Sequence, residues 1–182
     1  EHPEWGGWGG RYELYKPDFA KLKKGGSGVP FEPETRPIWT NTNDHYTPFV
    51  YNEYGRTIKP DTIHFNDYKV TLWRWRDDFQ NDFAARMDWC IKPFGEANHP
   101  PVPVLQSKEE ITVKSGEGIY LNASGSNDPD GDNLSFLWLS YPEAGSYKKA
   151  LITAAENSYQ LYLVAPKVEK TETVHIILKV TD

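Results

Sequence analysis

The first residues of the chain combine two tryptophans with glycines in a pattern that could recognise a carbohydrate. Trp5 and Trp8 flank the pair Gly6–Gly7, and Arg11 and Tyr12 follow closely. Glycine lets a backbone approach a ligand closely, indole faces can stack on sugar rings, and arginine can donate hydrogen bonds to hydroxyls. The alternative is structural, because the two indoles could instead pack this segment onto the core of another domain.

A second polar cluster, Asn41, Asn43, Asp44, His45 and Tyr46, lies in a segment without clear periodicity. We expect Asp44 and His45 to face a ligand from a loop, although turn chemistry also explains Asn and Asp at such positions. No histidine pair has the spacing of a zinc site. The other histidines are scattered along the chain: His2, His64, His99 and His175.

Three carboxylates, Asp128, Asp130 and Asp132, alternate with Pro129 and Gly131. Alternating carboxylates on a turn can ligate calcium through their oxygens. The spacing is not that of an EF-hand loop, and the distal glutamate is lacking. The alternative is a turn in which the aspartates accept hydrogen bonds from backbone N–H groups, and in that case the chain needs no cofactor.

We find no catalytic constellation in the sequence. Asp77 and Asp78 are adjacent, so on a helix they would point in different directions and could not act together as acid and base. A nucleophile elbow and a phosphate-binding loop are absent. Cys90 lies in an apolar helical pattern, which predicts a buried, inert thiol. We therefore expect no enzymatic activity from this chain alone.

The composition limits the classes of partner that the chain can bind. The 182 residues carry a net charge of −6, which gives no electrostatic drive toward nucleic acid. No run approaches the roughly 18 apolar residues of a membrane span. Seven tryptophans and eleven tyrosines supply both core and binding surface.

The elements that would position these residues differ along the chain. Residues 1–70 look mostly loop-like, with one possible strand over Arg11–Tyr15, and so few periodic elements are unlikely to fold alone. Residues 72–91 predict one long amphipathic helix that packs on a core, because apolar side chains recur at every fourth position. These are Trp75, Phe79, Phe83 and Met87.

A proline-rich stretch, Asn98–Pro103, indicates a linker or the entry to an edge strand. Short strands separated by turn signals follow it, which is typical of a β-sandwich. The predicted strands are Val102–Leu105, Glu110–Lys114, Gly118–Ala123, Leu134–Ser140, Tyr159–Ala165 and Thr173–Thr181. The predicted fold class is mainly β, a sandwich preceded by a loop-rich segment with one long helix.

Residues 97–139 resemble the start of a PKD or cadherin-like bacterial module. The resemblance depends on Ala97–Val102, on Val113–Ser126, and on the turn Asn127–Asp132 followed by a strand that carries Trp138. Modules with this turn are attached to secreted bacterial enzymes that act on polysaccharides. The resemblance implies an immunoglobulin/PKD-like sandwich.

A second resemblance covers nearly the whole chain. It rests on Pro3–Glu13, Trp73–Trp89, Tyr141–Gly145 and Val174–Asp182. These stretches are similar to the C-terminal part of bacterial cellulose-binding proteins that join a nucleoside-hydrolase-like domain to an Ig-like domain. The resemblance implies that residues 1–96 are the tail of the α/β hydrolase-like domain and that residues 97–182 form the sandwich. The aspartate-rich metal site of nucleoside hydrolases has no counterpart in this sequence.

The resemblance implies a carbohydrate-binding accessory region of an exported bacterial protein, periplasmic or secreted. Its expected partners are a polysaccharide or oligosaccharide and an upstream domain of the same protein. Two alternatives remain open. The parent could hydrolyse a glycosidic or N-ribosidic bond with catalytic residues that lie upstream, or the sandwich could be a spacer without a ligand.

Overall fold

The computed structural model describes residues 2–18, 35–47, 49–51, 57–60, 62–151 and 157–182, with the backbone alone for 49–51 and 57–60. The chain divides into two compact units. The first contains Glu1–Tyr46 and His64–Asp77, and the second contains Thr47–Ile63 and Asp78–Asp182. Residues 97–182, the predicted sandwich, lie wholly within the second unit.

The first unit is built from two small antiparallel sheets and a short helix. Strands β1 and β2 form one sheet, and β3 and β6 form the other. Val70 and Thr71 in the first turn of helix α1 are buried, and the Lys69 N–H just before that turn donates to Asp67 Oδ1. The elements are β1 (Tyr12–Tyr15), β2 (Ile38–Asn41), β3 (Asp44–Tyr46), β6 (Phe65–Asp67) and α1 (Val70–Arg74).

The second unit contains a long helix and three antiparallel strand pairs. The pairs are β4 with β5, β7 with β9 and β8 with β10. The elements are β4 (Phe49–Tyr51), β5 (Thr57–Pro60), α2 (Arg76–Ile91, whose first two residues belong to the first unit), β7 (Gly118–Asn122), β8 (Ser135–Ser140), β9 (Gln160–Val164) and β10 (Ile176–Thr181).

The β7–β9 and β8–β10 sheets contribute to one hydrophobic core. Trp138 is almost fully buried, and its indole N–H donates to the Ser158 carbonyl over 2.9 Å. The buried cluster consists of Leu121, Ala123, Trp138, Leu161 and Leu163, with Phe136, Ile176 and Leu178 packed against it. Burying each large side chain stabilises the fold by about 1.5–3 kcal/mol. The mainly β fold class is confirmed, and the finer Ig/PKD-like assignment stays a prediction.

Two predicted strands are wrong. Val102–Leu105 makes only a single bridge, from Val102 to Asn127, because Pro101 and Pro103 lack the N–H groups that a ladder needs. Glu110–Lys114 has no strand structure. Its last N–H donates to the Glu117 side chain, so the segment runs into a turn instead of pairing.

The helix prediction is correct in type but not in detail. Helix α1 ends at Arg74 and α2 begins at Arg76, so the predicted single helix has a break at Trp75. No α2 residue is buried, and Phe83 is 63% exposed. The prediction that the aromatic stripe packs on a core is therefore wrong. Of the predicted stripe, Trp75 and Phe79 are half-buried, and so are Asp78, Asp82 and Asp88 on α2.

Ion pairs explain why that polar side of α2 is partly covered. Asp78 pairs with Lys179 on β10, and Asp82 accepts hydrogen bonds from Arg86 within the helix. The predicted burial of Cys90 is also wrong, because the thiol is exposed. Among the described helices, none is both long and apolar enough to cross a membrane.

The loop-like prediction for residues 1–70 missed several strands. The predicted strand over Arg11–Tyr15 is confirmed as β1, but β2 to β6 were not expected. Each has three or four residues, which is too short for period-two alternation to be visible in the sequence.

Candidate functional site

The N-terminal segment forms a tight turn that presents both tryptophans, and we call residues 5–10 the tryptophan turn. Trp5 ends a short 3-10 helix, Pro3–Trp5. The Gly7 N–H donates to the Gly10 carbonyl over 3.2 Å, and the Gly10 N–H donates to Gly7 over 3.1 Å. Trp8 therefore lies at the tip of a closed two-residue turn. The side chains of Trp5 and Trp8 are 41% and 48% exposed.

Glycine is required at the base of this turn. Gly10 is buried and has a φ of +101°, a conformation that residues with a Cβ rarely adopt. An added Cβ would also lie 3.9 Å from Leu72 Cγ on α1. Gly10 thus sets the backbone conformation at the base of the turn that carries Trp8.

The two tryptophans differ in what surrounds them. The ring of Trp5 stacks on His2, with ring centroids 4.0 Å apart and planes 8° from parallel. One face of Trp5 is therefore already covered. Trp8 at the tip of the turn is the more open of the two for a flat ligand.

A buried ion pair holds the turn in place. Arg11 Nη2 lies 2.5 Å from Asp44 Oδ1, and Arg11 Nε donates to both Asp44 oxygens at 2.9 and 3.0 Å. Asp44 is only 4% exposed and also accepts a hydrogen bond from the Thr71 hydroxyl over 3.0 Å. Arg11 Nη1 donates to the Glu4 carbonyl over 3.2 Å. The pair therefore connects β3 and α1 to the segment before Trp5.

This geometry separates the roles of the predicted site residues. Arg11 and Asp44 are bound to each other inside the unit, so what the structure shows for them is positioning, and direct ligand contact by them stays a prediction. His45 is exposed on β3, opposite Asn66 in the ladder. Its ligand contact also stays a prediction.

Tyr12 connects the tryptophan turn to a sheet face that the sequence did not reveal. Its hydroxyl donates to the Gly9 carbonyl over 2.9 Å. In the β1–β2 ladder, Tyr12 is opposite Asn41 and Leu14 is opposite Trp39, so these residues share one face. Trp39 is exposed. Trp39 therefore lies on the same sheet face as Tyr12, whose hydroxyl contacts the tryptophan turn. This placement depends on the pairing of β1 with β2, which the sequence does not show.

In the turn Asp128–Asp132, aspartate side chains accept hydrogen bonds from backbone N–H groups, as the alternative without calcium predicts. Asp128 Oδ1 accepts from the N–H groups of Asp130, at 2.7 Å, and Asp132, at 3.3 Å. Asp130 accepts from the His99 N–H over 2.6 Å and contacts His99 Nδ1 at 2.9 Å. These bonds with His99 hold the pKa of Asp130 below its ordinary value.

One oxygen from each of Asp128, Asp130 and Asp132 lies within 4.8 Å of the others, so the three could approach a single ion. Calcium would have to compete with the His99 and backbone contacts described above. Calcium ligation by these residues stays the untested alternative to the hydrogen-bonded turn.

Comparison with known proteins gives two matches. Residues 118–182 match a family model described as "Cellulose-binding protein Sde0182, C-terminal domain". The chain is also similar to the solved structure of a nucleoside hydrolase-related hypothetical protein from Saccharophagus degradans, described as associated with carbohydrate metabolism. No curated protein matches the chain.

The structural match has a TM-score of 0.55 and 35% sequence identity, and it covers 66% of this chain and 31% of that one. The chain therefore spans less than a third of the length of that longer protein. Together the two matches confirm the family resemblance predicted from the sequence.

Proposed function

We propose, on the premise that residues 118–182 match the C-terminal domain of a cellulose-binding protein, that this chain is a carbohydrate-binding accessory region. The observation that carries the proposal in the first unit is the exposure of Trp8 at the tip of a glycine-closed turn. A rigid, exposed indole can stack on a pyranose ring with little loss of conformational entropy on binding.

The supports of the turn favour the same function. Arg11 and Asp44 connect it to two other elements, so the backbone of the turn is held in place before a ligand arrives. A preorganised site binds more tightly because less ordering remains to be done. The net charge of −6 would repel an acidic polysaccharide, so the preferred ligand is an uncharged glucan such as cellulose.

Sedimentation with insoluble cellulose tests the proposal. Wild-type chain should be retained, and Trp5→Ala with Trp8→Ala should lower affinity about tenfold or more, which corresponds to a loss of ~1.4 kcal/mol. Trp73→Ala is the matched control, because Trp73 is equally exposed at 49% but lies on α1 outside the turn. Retention of the double variant at the wild-type level would remove the turn from the proposal.

A second function is favoured by the description of the structural match as nucleoside hydrolase-related. In this proposal the parent protein hydrolyses a glycosidic or N-ribosidic bond, and the catalytic residues lie outside this chain. The chain alone should then turn over neither nucleosides nor aryl glycosides. The full reading frame should be assayed beside it, and turnover by the isolated chain would contradict this division of roles.

The proposed location is extracytoplasmic, either periplasmic or secreted, because insoluble polysaccharide lies outside the cell. Cell fractionation of the tagged full-length protein tests this directly. Recovery in the cytoplasmic fraction alone would contradict it and would favour the ligand-free spacer for residues 97–182.

A further inference from the structure

The outward face of the β7–β9 sheet carries an exposed aromatic pair. Side chains alternate along both strands, so Leu121, Leu161 and Leu163 enter the core while their neighbours point outward. Three pairs lie directly opposite each other on the outward face: Gly118 with Val164, Tyr120 with Tyr162, and Asn122 with Gln160. We call these six residues the tyrosine face.

Tyr120 and Tyr162 form the centre of this face. They are 54% and 66% exposed, although directly opposite residues in a sheet bring their Cβ atoms within about 4.5–5.5 Å of each other. The sheet face therefore carries two exposed aromatic side chains at directly opposite strand positions. Val164 beside them is also exposed, which extends the apolar area along β9.

The glycine at position 118 makes room for one of the rings. A Cβ added to Gly118 would lie 2.5 Å from Tyr162 Oη and 3.0 Å from two ring carbons. The phenol end of Tyr162 therefore occupies the space that a side chain at 118 would fill. This contact with the strand limits the freedom of the ring while its other side stays open to solvent.

The polar residues of the face are neutral amides. Asn122 Nδ2 donates to Gln106 Oε1 over 2.8 Å, and Asn122 Oδ1 accepts from the Ser124 N–H over 2.9 Å. Gln160 lies across the ladder from Asn122 and can offer its amide to hydroxyl groups. None of the six residues carries a charge at neutral pH, in a chain whose net charge is −6.

From this geometry we propose that the tyrosine face is a second contact site for an uncharged polysaccharide chain, on which pyranose rings stack against Tyr120 and Tyr162 and hydroxyls bond to the amides. The proposal rests on the proposed carbohydrate-binding function. The matched residues 118–182 contain both strands of the face but not the tryptophan turn. Absence of charge on the face suits an uncharged ligand.

The first test needs no substitution. Cellohexaose is titrated into the ¹⁵N-labelled 182-residue chain, and amide shifts are followed by NMR. We expect changes in residues 118–122 and 160–164 in addition to those in residues 5–12, with little change in β8 and β10. Binding with shifts confined to other residues would overturn the tyrosine face while leaving the proposed function intact.

The second test uses matched variants on insoluble cellulose. The Tyr120→Ala, Tyr162→Ala double variant should bind at least tenfold more weakly, whereas the double Tyr→Phe variant should keep most of the affinity because the stacking surface remains. Leu137→Ala removes an exposed apolar side chain from β8 and should bind like wild type. Circular dichroism must show that each variant is folded.

The remaining outcomes are also informative. If wild type binds neither cellulose nor cellohexaose, the proposed function and this inference both fail. If the tyrosine variants bind normally while the Trp5→Ala, Trp8→Ala variant does not, only the tyrosine face is contradicted. Light scattering that shows a wild-type dimer and a monomeric tyrosine variant would instead identify the face as a contact between two copies of the chain.

Discussion

The tryptophan turn and the tyrosine face both expose aromatic rings, but different forces position them. Trp8 lies on a short turn whose direction depends on glycines and on the buried Arg11–Asp44 pair. Tyr120 and Tyr162 lie on strands whose opposite faces fill a hydrophobic core. Few apolar residues are buried in the described part of the first unit, and directional polar contacts hold the backbone of the turn there. The sheet holds its rings through alternation and core packing.

The largest loss of stability should come from a substitution in the hydrophobic core beneath the tyrosine face. Trp138→Ala should lower the free energy of unfolding by about 4 kcal/mol, since it leaves a large cavity and removes the partner of the Ser158 carbonyl. Urea denaturation followed by circular dichroism measures this. Leu137→Ala, one residue away but exposed, should change stability by no more than about 0.5 kcal/mol. Similar costs for both would show that the sheet alternation is misassigned.

The second largest loss of stability should come from breaking the buried Arg11–Asp44 ion pair that holds the tryptophan turn. Asp44→Ala should cost about 3 kcal/mol, because it leaves the guanidinium of Arg11 partly buried without its partner. Replacing both members, as Arg11→Met with Asp44→Leu, should cost less than the single change. The same denaturation experiments measure both. A single variant as stable as wild type would contradict the positioning role.

A smaller effect should come from the base of the turn. Gly10→Ala should destabilise by about 1–2 kcal/mol, because a Cβ is strained at its positive φ. Gly7→Ala is the control, since nothing lies within 4 Å of an added Cβ there. Cellulose retention should fall for Gly10→Ala and stay at the wild-type level for Gly7→Ala. Equal behaviour of the two variants would contradict the role of backbone geometry.

The exposed contact between His99 and Asp130 in the second unit should contribute less to stability than the buried Arg11–Asp44 ion pair. The pKa of Asp130 is lowered by its hydrogen bonds with His99, so its contribution to stability is present above the ordinary pKa of aspartate, near 3.8. That contribution is lost as the pH falls through the folded-state pKa. The difference in melting temperature between wild type and Asp130→Asn should therefore shrink between pH 5 and pH 2. A difference in melting temperature that widens toward low pH would contradict the stabilising role of the Asp130 carboxylate.

Calcium should have the smallest effect. Because Asp128 and Asp130 already accept hydrogen bonds from the protein, we expect millimolar calcium to leave the melting temperature unchanged. A ligand that binds only the folded state raises that temperature in proportion to its occupancy. A clear rise that is abolished in Asp128→Ala would establish the calcium alternative.

Sequence patterns predicted the second unit better than the first. Strands β7 to β10 were each found within a few residues, because apolar and polar residues alternate between clear turn signals. The errors have local causes, as the prolines at 101 and 103 interrupt pairing that the apolar pattern suggested. Strands β2, β3 and β6 of the first unit have only three or four residues each, too few for readable alternation. The same holds for β4 and β5, which were missed in the second unit.

The candidate site was predicted as a set of residues but not as an arrangement. The chemistry of their side chains marks Trp5, Trp8, Arg11 and Asp44 as candidates in the sequence. Their spacing could not show that Arg11 and Asp44, which are 33 positions apart, bind each other. Nothing in the sequence marks Tyr120 and Tyr162 as site residues, because a tyrosine on a strand carries no signal until its cross-strand neighbour is known.

The sequence by itself determined the mainly β character, the long helix, the lack of charge favourable to nucleic acid, and the family resemblance, since these depend on composition and on local periodicity. Tertiary structure alone decided which aromatic rings are open and what holds them. Exposure is a property of the packed surface, and whether a charged or aromatic side chain meets a partner or solvent depends on strands brought together from distant parts of the chain.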